Sequence, residues 1–198
     1  MPDDEARAIF RRLAKQRRGY AAFFEFPDKA IKEKIVAEQL IEQLEQEAGS
    51  PIKKLVERSE GQDPPDLEVH FGGGKIYALE VTEIVDQKKI EEIRRRSSPE
   101  SDFRVYTKRD FEESIRSRLQ QKDSKILKGG PYDKYIVVLH TDEFSLDREQ
   151  VANFTARMHS IPVKQIDAAY VLLSYNPAVG SYPVFRLWLN RQSLDGSG

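Results

Sequence analysis

Residues 64–82, PPDLEVHFGGGKIYALEVT, constrain this chain more than any other stretch. Leu67, Val69 and Phe71 alternate with polar residues, as one face of a strand requires. After the glycines, Ile76 and Ala78 face one way and Tyr77, Leu79 and Val81 the other. Gly72, Gly73 and Gly74 supply the positive φ angles that a tight hairpin turn needs. Asp66 opens the first strand, and Glu80 stands inside the second among apolar neighbours. A carboxylate in the middle of an apolar strand is costly without a partner. Two of them, brought together by one hairpin, make a cage for a hard divalent cation.

Pro65-Asp66, a hairpin, and then Glu80-Val81-Thr82 resemble the core of the PD-(D/E)xK nuclease superfamily, the restriction-endonuclease-like fold. In that family Pro-Asp opens one strand and (Asp/Glu)-x-Lys lies on the next. Here Thr82 stands where the lysine belongs. The very-short-patch repair endonucleases are similar in placing threonine near this position. The resemblance implies that Asp66 and Glu80 bind Mg2+ or Mn2+, with the backbone carbonyl of Val81 as a further ligand. It also implies a carboxylate from the preceding helix. Glu33 is the first choice, because Glu33-Lys34-Ile35-Val36 is similar to the helix start of Holliday-junction-resolvase-type members, and Glu38 is the second.

Composition bounds the alternatives. The 198 residues suffice for one domain with its own core. There is no cysteine, which removes disulfides, thiolate metal sites and a cysteine nucleophile. No apolar run is long enough to span a bilayer. The acidic start lacks the pattern of a signal peptide, so a cytoplasmic protein is expected. The net charge of −1 is not that of a dedicated nucleic-acid binder, so local clusters must do any phosphate binding. His70, His140 and His159 lack metal-ligand spacing, and there is no Walker-type phosphate loop or nucleophile elbow.

In chain order, residues 1–27 read as an N-terminal helical arm. It has a basic face and an aromatic patch of Tyr20, Phe23, Phe24 and Phe26. Residues 28–192 read as one domain. A helix opens at Pro27-Asp28 and runs to about Ala48, with Ile31, Ile35, Val36, Leu40, Leu44 and Ala48 toward the core. Ile52–Arg58 is a first strand, and Pro64 and Pro65 hold the approach to Asp66 extended. Residues 87–96 read as a short helix whose Arg94, Arg95 and Arg96 are placed to hold a phosphate backbone or to form a solvated face. A helix over 108–128 carries Phe111, Ile115, Leu119 and Ile126 as its buried stripe, and Lys122 falls on that stripe. A lysine there either snorkels to the core edge or reaches Asp66 and Glu80 and replaces the absent motif lysine. Lys75 and Lys125 are the weaker substitutes. Strands over 134–140 and 166–174 flank a helix over 146–159, and residues 183–189 form a last strand. Residues 193–198 read as a disordered tail.

The expected architecture is an α/β restriction-endonuclease-like mixed sheet flanked by helices, with an extra C-terminal helix and strand pair. The expected function is metal-dependent hydrolysis of phosphodiester bonds in nucleic acid. Asp66, Glu80, Thr82 and Lys122 would serve as catalytic residues, and a homodimer would suit cleavage of two strands. The alternative is a catalytically degenerate nuclease fold that binds nucleic acid or a protein partner.

Overall fold

The computed structural model describes residues 29–59, 61–84, 106–143, 146–176 and 179–191. The expected N-terminal arm, the helix bearing Arg94, Arg95 and Arg96, and the C-terminal tail lie outside them.

Among the described residues, four helices and eight strands follow in order: α1 (Lys29–Glu38), α2 (Ile41–Ala48), β1 (Ile52–Glu57), β2 (Leu67–Phe71), β3 (Ile76–Glu83), α3 (Lys108–Asp123), β4 (Lys134–Thr141), α4 (Arg148–Ala156), β5 (Ile161–Val163), β6 (Ala168–Leu173), β7 (Val184–Arg186) and β8 (Leu189–Arg191). The main sheet is mixed and six-stranded, in the order β1-β2-β3-β4-β6-β7. Strands β1 to β3 form an antiparallel meander. Strands β3, β4 and β6 are parallel, and β7 returns antiparallel on β6. Parallel neighbours need long crossovers, and α3 and α4 lie in them.

Each face of the sheet carries its own core. Val36 and Leu40 of α1 and its following turn, with Leu44 of α2, pack on Leu67, Val69, Tyr77, Leu79 and Val81. On the other face, Phe111, Ile115 and Leu119 of α3 and Val151 of α4 pack on Ala78, Tyr135, Val137 and Leu139. Strand β4 lies between β3 and β6 and is buried from Tyr135 to Thr141, which is why it reads as an unbroken apolar run. In the hairpin, Gly73 and Gly74 take the positive φ angles, at +86° and +87°. Gly72 does not, and its N–H donates to the Pro51 carbonyl.

Several expectations are corrected. The helix over 28–48 is two helices, because Leu40 takes φ −105° and ψ 5° and its N–H turns back to Ala37. Leu40 stays fully buried, but Ile31 is 48% exposed. Helix α3 ends at Asp123, not Lys128, and Ile126 is exposed rather than on the buried stripe. The Asp123 carboxylate accepts the N–H groups of Lys164, Gln165 and Ile166, which ties the helix end to the chain entering β6. The approach to Asp66 is a series of bends, not an extended segment. The last strand is two short ones, and β8 pairs in parallel with β5, an element that its central proline hides from sequence reading.

Candidate metal centre

The pleat decides what faces α3. Leu67, Val69, Tyr77, Leu79 and Val81 all enter the α1-side core. Their alternates Asp66, Glu68 and Glu80 therefore project toward α3. Leu67 pairs with Leu79, so one further step of that register sets Asp66 beside Glu80. Asp66 Oδ2 accepts the Val81 N–H at 2.8 Å, which fixes the carboxylate at the point where β2 begins. In a strand the N–H and C=O of one residue share an edge. The Val81 carbonyl therefore faces the Asp66 side, while Ile84 turns its N–H to His140 of β4.

Glu80 is fully buried, and its two oxygens have different fates. Oε1 accepts Lys122 Nζ at 2.5 Å and Lys125 Nζ at 3.1 Å. Oε2 is buried with no hydrogen-bond partner. Lys122 continues the Phe111, Ile115, Leu119 stripe by three residues, so α3 aims it at the sheet. Lys125 follows the helix end and is partly exposed. Burial pulls its pKa down, but the hydrogen bond and charge of Glu80 outweigh this and hold it above the ordinary lysine value. Tyr135 lies in the same region, with its hydroxyl 3.4 Å from the Lys122 carbonyl. Burial, and then the charges of Glu80 and Asp66, push its phenol upward.

A third carboxylate joins the pair. Asp63, Asp66 and Glu80 each offer one oxygen, and these oxygens lie within 4.8 Å of one another. Asp63 Oδ1, like Glu80 Oε2, is buried with no hydrogen-bond partner. Orphaned acceptors of this kind are costly unless a cation or water satisfies them. The donor set, all carboxylate oxygen, suits a hard divalent cation. The loop that delivers Asp63 is fixed by cations on its carbonyls. Arg58 donates to Gln62 at 3.2 Å, and Lys128 donates through Nζ to Gly61 at 3.1 Å and through its backbone N–H to Pro64 at 2.8 Å. Arg58 is itself held by Glu68, which also accepts from Tyr132 and pairs with His70.

Of the residues expected from sequence, the structure brings Asp66, Glu80 and Lys122 together. Thr82 stands half-buried on the Glu80 face, one step further along β3 and in register with Leu139. Glu33 is half-buried on α1, outside the group of converging carboxylates, and Glu38 is exposed. Lys75 is spent elsewhere, on the Ala48 carbonyl that ends α2. Arg94, Arg95 and Arg96 lie outside the described residues. Sequence reading missed Asp63, whose only signal is an acid three residues ahead of Asp66 in a polar loop.

Among the described residues, no helix is long and apolar enough to cross a membrane. Comparison with protein-family models, with curated proteins and with solved structures finds no match to this chain.

Proposed function

We propose that this chain is a metal-dependent phosphodiesterase of the restriction-endonuclease-like fold, acting on nucleic acid. The observation that carries the reading is the division of Glu80. One oxygen is held by lysine and the other is buried and unpartnered, in a carboxylate that groups with those of Asp63 and Asp66. Charge supports the substrate class. Three carboxylates against two ammonium groups leave one negative charge. A divalent cation turns this to one positive charge, which a singly charged phosphodiester matches. The antiparallel meander β1 to β3, followed by α3 and a parallel β4, is also the order of elements that this nuclease fold uses.

Asp66, Glu80 and Asp63 would hold Mg2+ or Mn2+, with the Val81 carbonyl on the same edge; Asp63 replaces Glu33 as the third carboxylate of this reading. When bound, the metal polarises the scissile phosphate and lowers the pKa of water. Lys122 holds Glu80 in place and sets a fixed positive charge beside the reacting phosphate, the role of the missing motif lysine. Thr82 would hydrogen-bond the water or a phosphate oxygen, and Arg94, Arg95 and Arg96 would hold the backbone. In the reaction the oxygen of water bonds to phosphorus, one ester P–O bond breaks, and the departing oxygen takes a proton. The products are a phosphate end and a hydroxyl end.

The test is cleavage of plasmid DNA and single-stranded RNA with Mg2+ or Mn2+. Asp66→Ala and Glu80→Ala are each expected to lower the rate on the order of a hundredfold or more. A silent native chain that also shows no heat of binding with Mn2+ sinks the reading. Thr82 favours a second one, a degenerate nuclease fold that binds nucleic acid without cutting it. That reading requires salt-sensitive binding without turnover.

A further inference from the structure

We infer that Lys125 offsets the negative charge of the carboxylate group in the resting site and turns outward to a nucleic-acid phosphate when a divalent cation binds. The inference rests on the metal reading above and names a substrate contact within that site. The two lysines on Glu80 are not equivalent. Lys122 is 2.5 Å from Oε1 with its side chain 12% exposed, whereas Lys125 is 3.1 Å away and 34% exposed. The charge of Asp63 also acts on the Lys125 ammonium, which Glu80 Oε1 holds at the exposed side of the pair. In the metal-free protein it offsets charge that the orphaned oxygens of Glu80 and Asp63 leave unbalanced.

A divalent cation among these carboxylates puts like charge beside both ammonium groups. The one with less to lose yields. Lys122 runs along the buried face of α3 and would have to cross the core edge to leave. Lys125 is already part-way into water. Its main chain is anchored, because its N–H donates to the Lys122 carbonyl at 3.1 Å and its own carbonyl accepts Gln165 Nε2 at 2.6 Å. Movement is therefore confined to the flexible four-carbon stem, which swings a hydrated point charge over the site entrance. Such a charge suits a phosphate oxygen.

The experiment is calorimetric titration of the full-length chain with Mg2+ alone, comparing native protein, Lys125→Met, Lys125→Gln and Glu80→Gln. Carbon–proton NMR of the lysine ε-methylene groups runs alongside. Lys125→Met and Lys125→Gln are expected to bind Mg2+ roughly three- to tenfold more tightly, the scale of removing one screened like charge. In the native protein, the Lys125 signal is expected to move to the position of a solvated lysine as Mg2+ is added, while that of Lys122 stays in place. On a nucleic-acid substrate, Lys125→Met is expected to raise KM more than it lowers kcat. Unchanged or weaker Mg2+ binding by both variants, or a Lys125 signal that ignores Mg2+, overturns the exchange and leaves the metal site standing. Native protein that binds no Mg2+ overturns both.

Discussion

Glu80 is the residue on which the site turns. A fully buried carboxylate is tolerated because Lys122 meets it at 2.5 Å and Lys125 at 3.1 Å, and removing Lys122 leaves it only the longer contact, with the partly exposed lysine. Lys122→Met is therefore expected to destabilise the metal-free protein by about 3 kcal/mol, measured by urea unfolding in EDTA. Adding Glu80→Gln should recover part of that loss, because the buried charge that Lys125 alone must then balance is gone. A coupling of about 1 to 3 kcal/mol is expected between the two positions. Strictly additive losses would show that the pair contributes nothing to the fold.

At the scale of elements, the end of α3 decides where both lysines stand. Thr107 caps its start through a capping box with Asp110. Asp123 closes its end by accepting three N–H groups from residues 164 to 166, at 2.8, 2.9 and 3.2 Å. Gln165 returns the contact, donating to the carbonyls of Asp123 and Lys125. Asp123→Ala leaves those three donors without their acceptor, one of them on buried Ile166. A loss of about 2 kcal/mol is expected, with faster hydrogen exchange at the amides of Lys164, Gln165 and Ile166. Exchange that is unchanged there would mean that β5 and β6, and not Asp123, hold the helix end.

For the whole molecule, a half-buried carboxylate and a buried imidazole at the carboxyl ends of the parallel strands set opposing responses to pH. Burial pushes Glu83 up to about 7, outweighing Lys32 and Arg118, while Asp142 and Glu143 add to the rise. Burial pushes His140 down to about 4, with Lys32 adding to it. The folded pKa of Glu83 is raised, so its contribution is full below the unfolded value of 4.5 and is lost as pH rises toward 7. The folded pKa of His140 is depressed, so its contribution is full above 6.5 and is lost as pH falls toward 4. Between pH 4.5 and 6.5 the two slopes oppose each other. Glu83→Gln should unmask a rise in stability from pH 4 to 6.5, of at most about 3 kcal/mol, and His140→Asn should unmask a fall from 4.5 to 7. Urea unfolding in EDTA across that range checks both, and variants that keep the flat native profile would refute the assignment.

The sequence by itself determined the hairpin, the buried strands β4 and β6, the body of α3, and three members of the site. Those features rest on period: alternation put Asp66 and Glu80 on the face away from Leu67 and Leu79, and helical spacing put Lys122 on the buried stripe of α3. Tertiary structure decided the rest, because it depends on groups far apart in the chain. Asp63 joins the site only because Arg58 and Lys128 hold its loop. Lys125 reaches Glu80 from just beyond the end of α3, which Asp123 and Gln165 tie to the chain entering β6, and Ile126 there lies in solvent. Strand β5 exists because β8 supplies its one ladder. A periodic pattern records which face of an element is buried. It carries no record of which distant carboxylate or ammonium that face will meet, since that is settled by the packing of the elements and by the charges that must then be balanced.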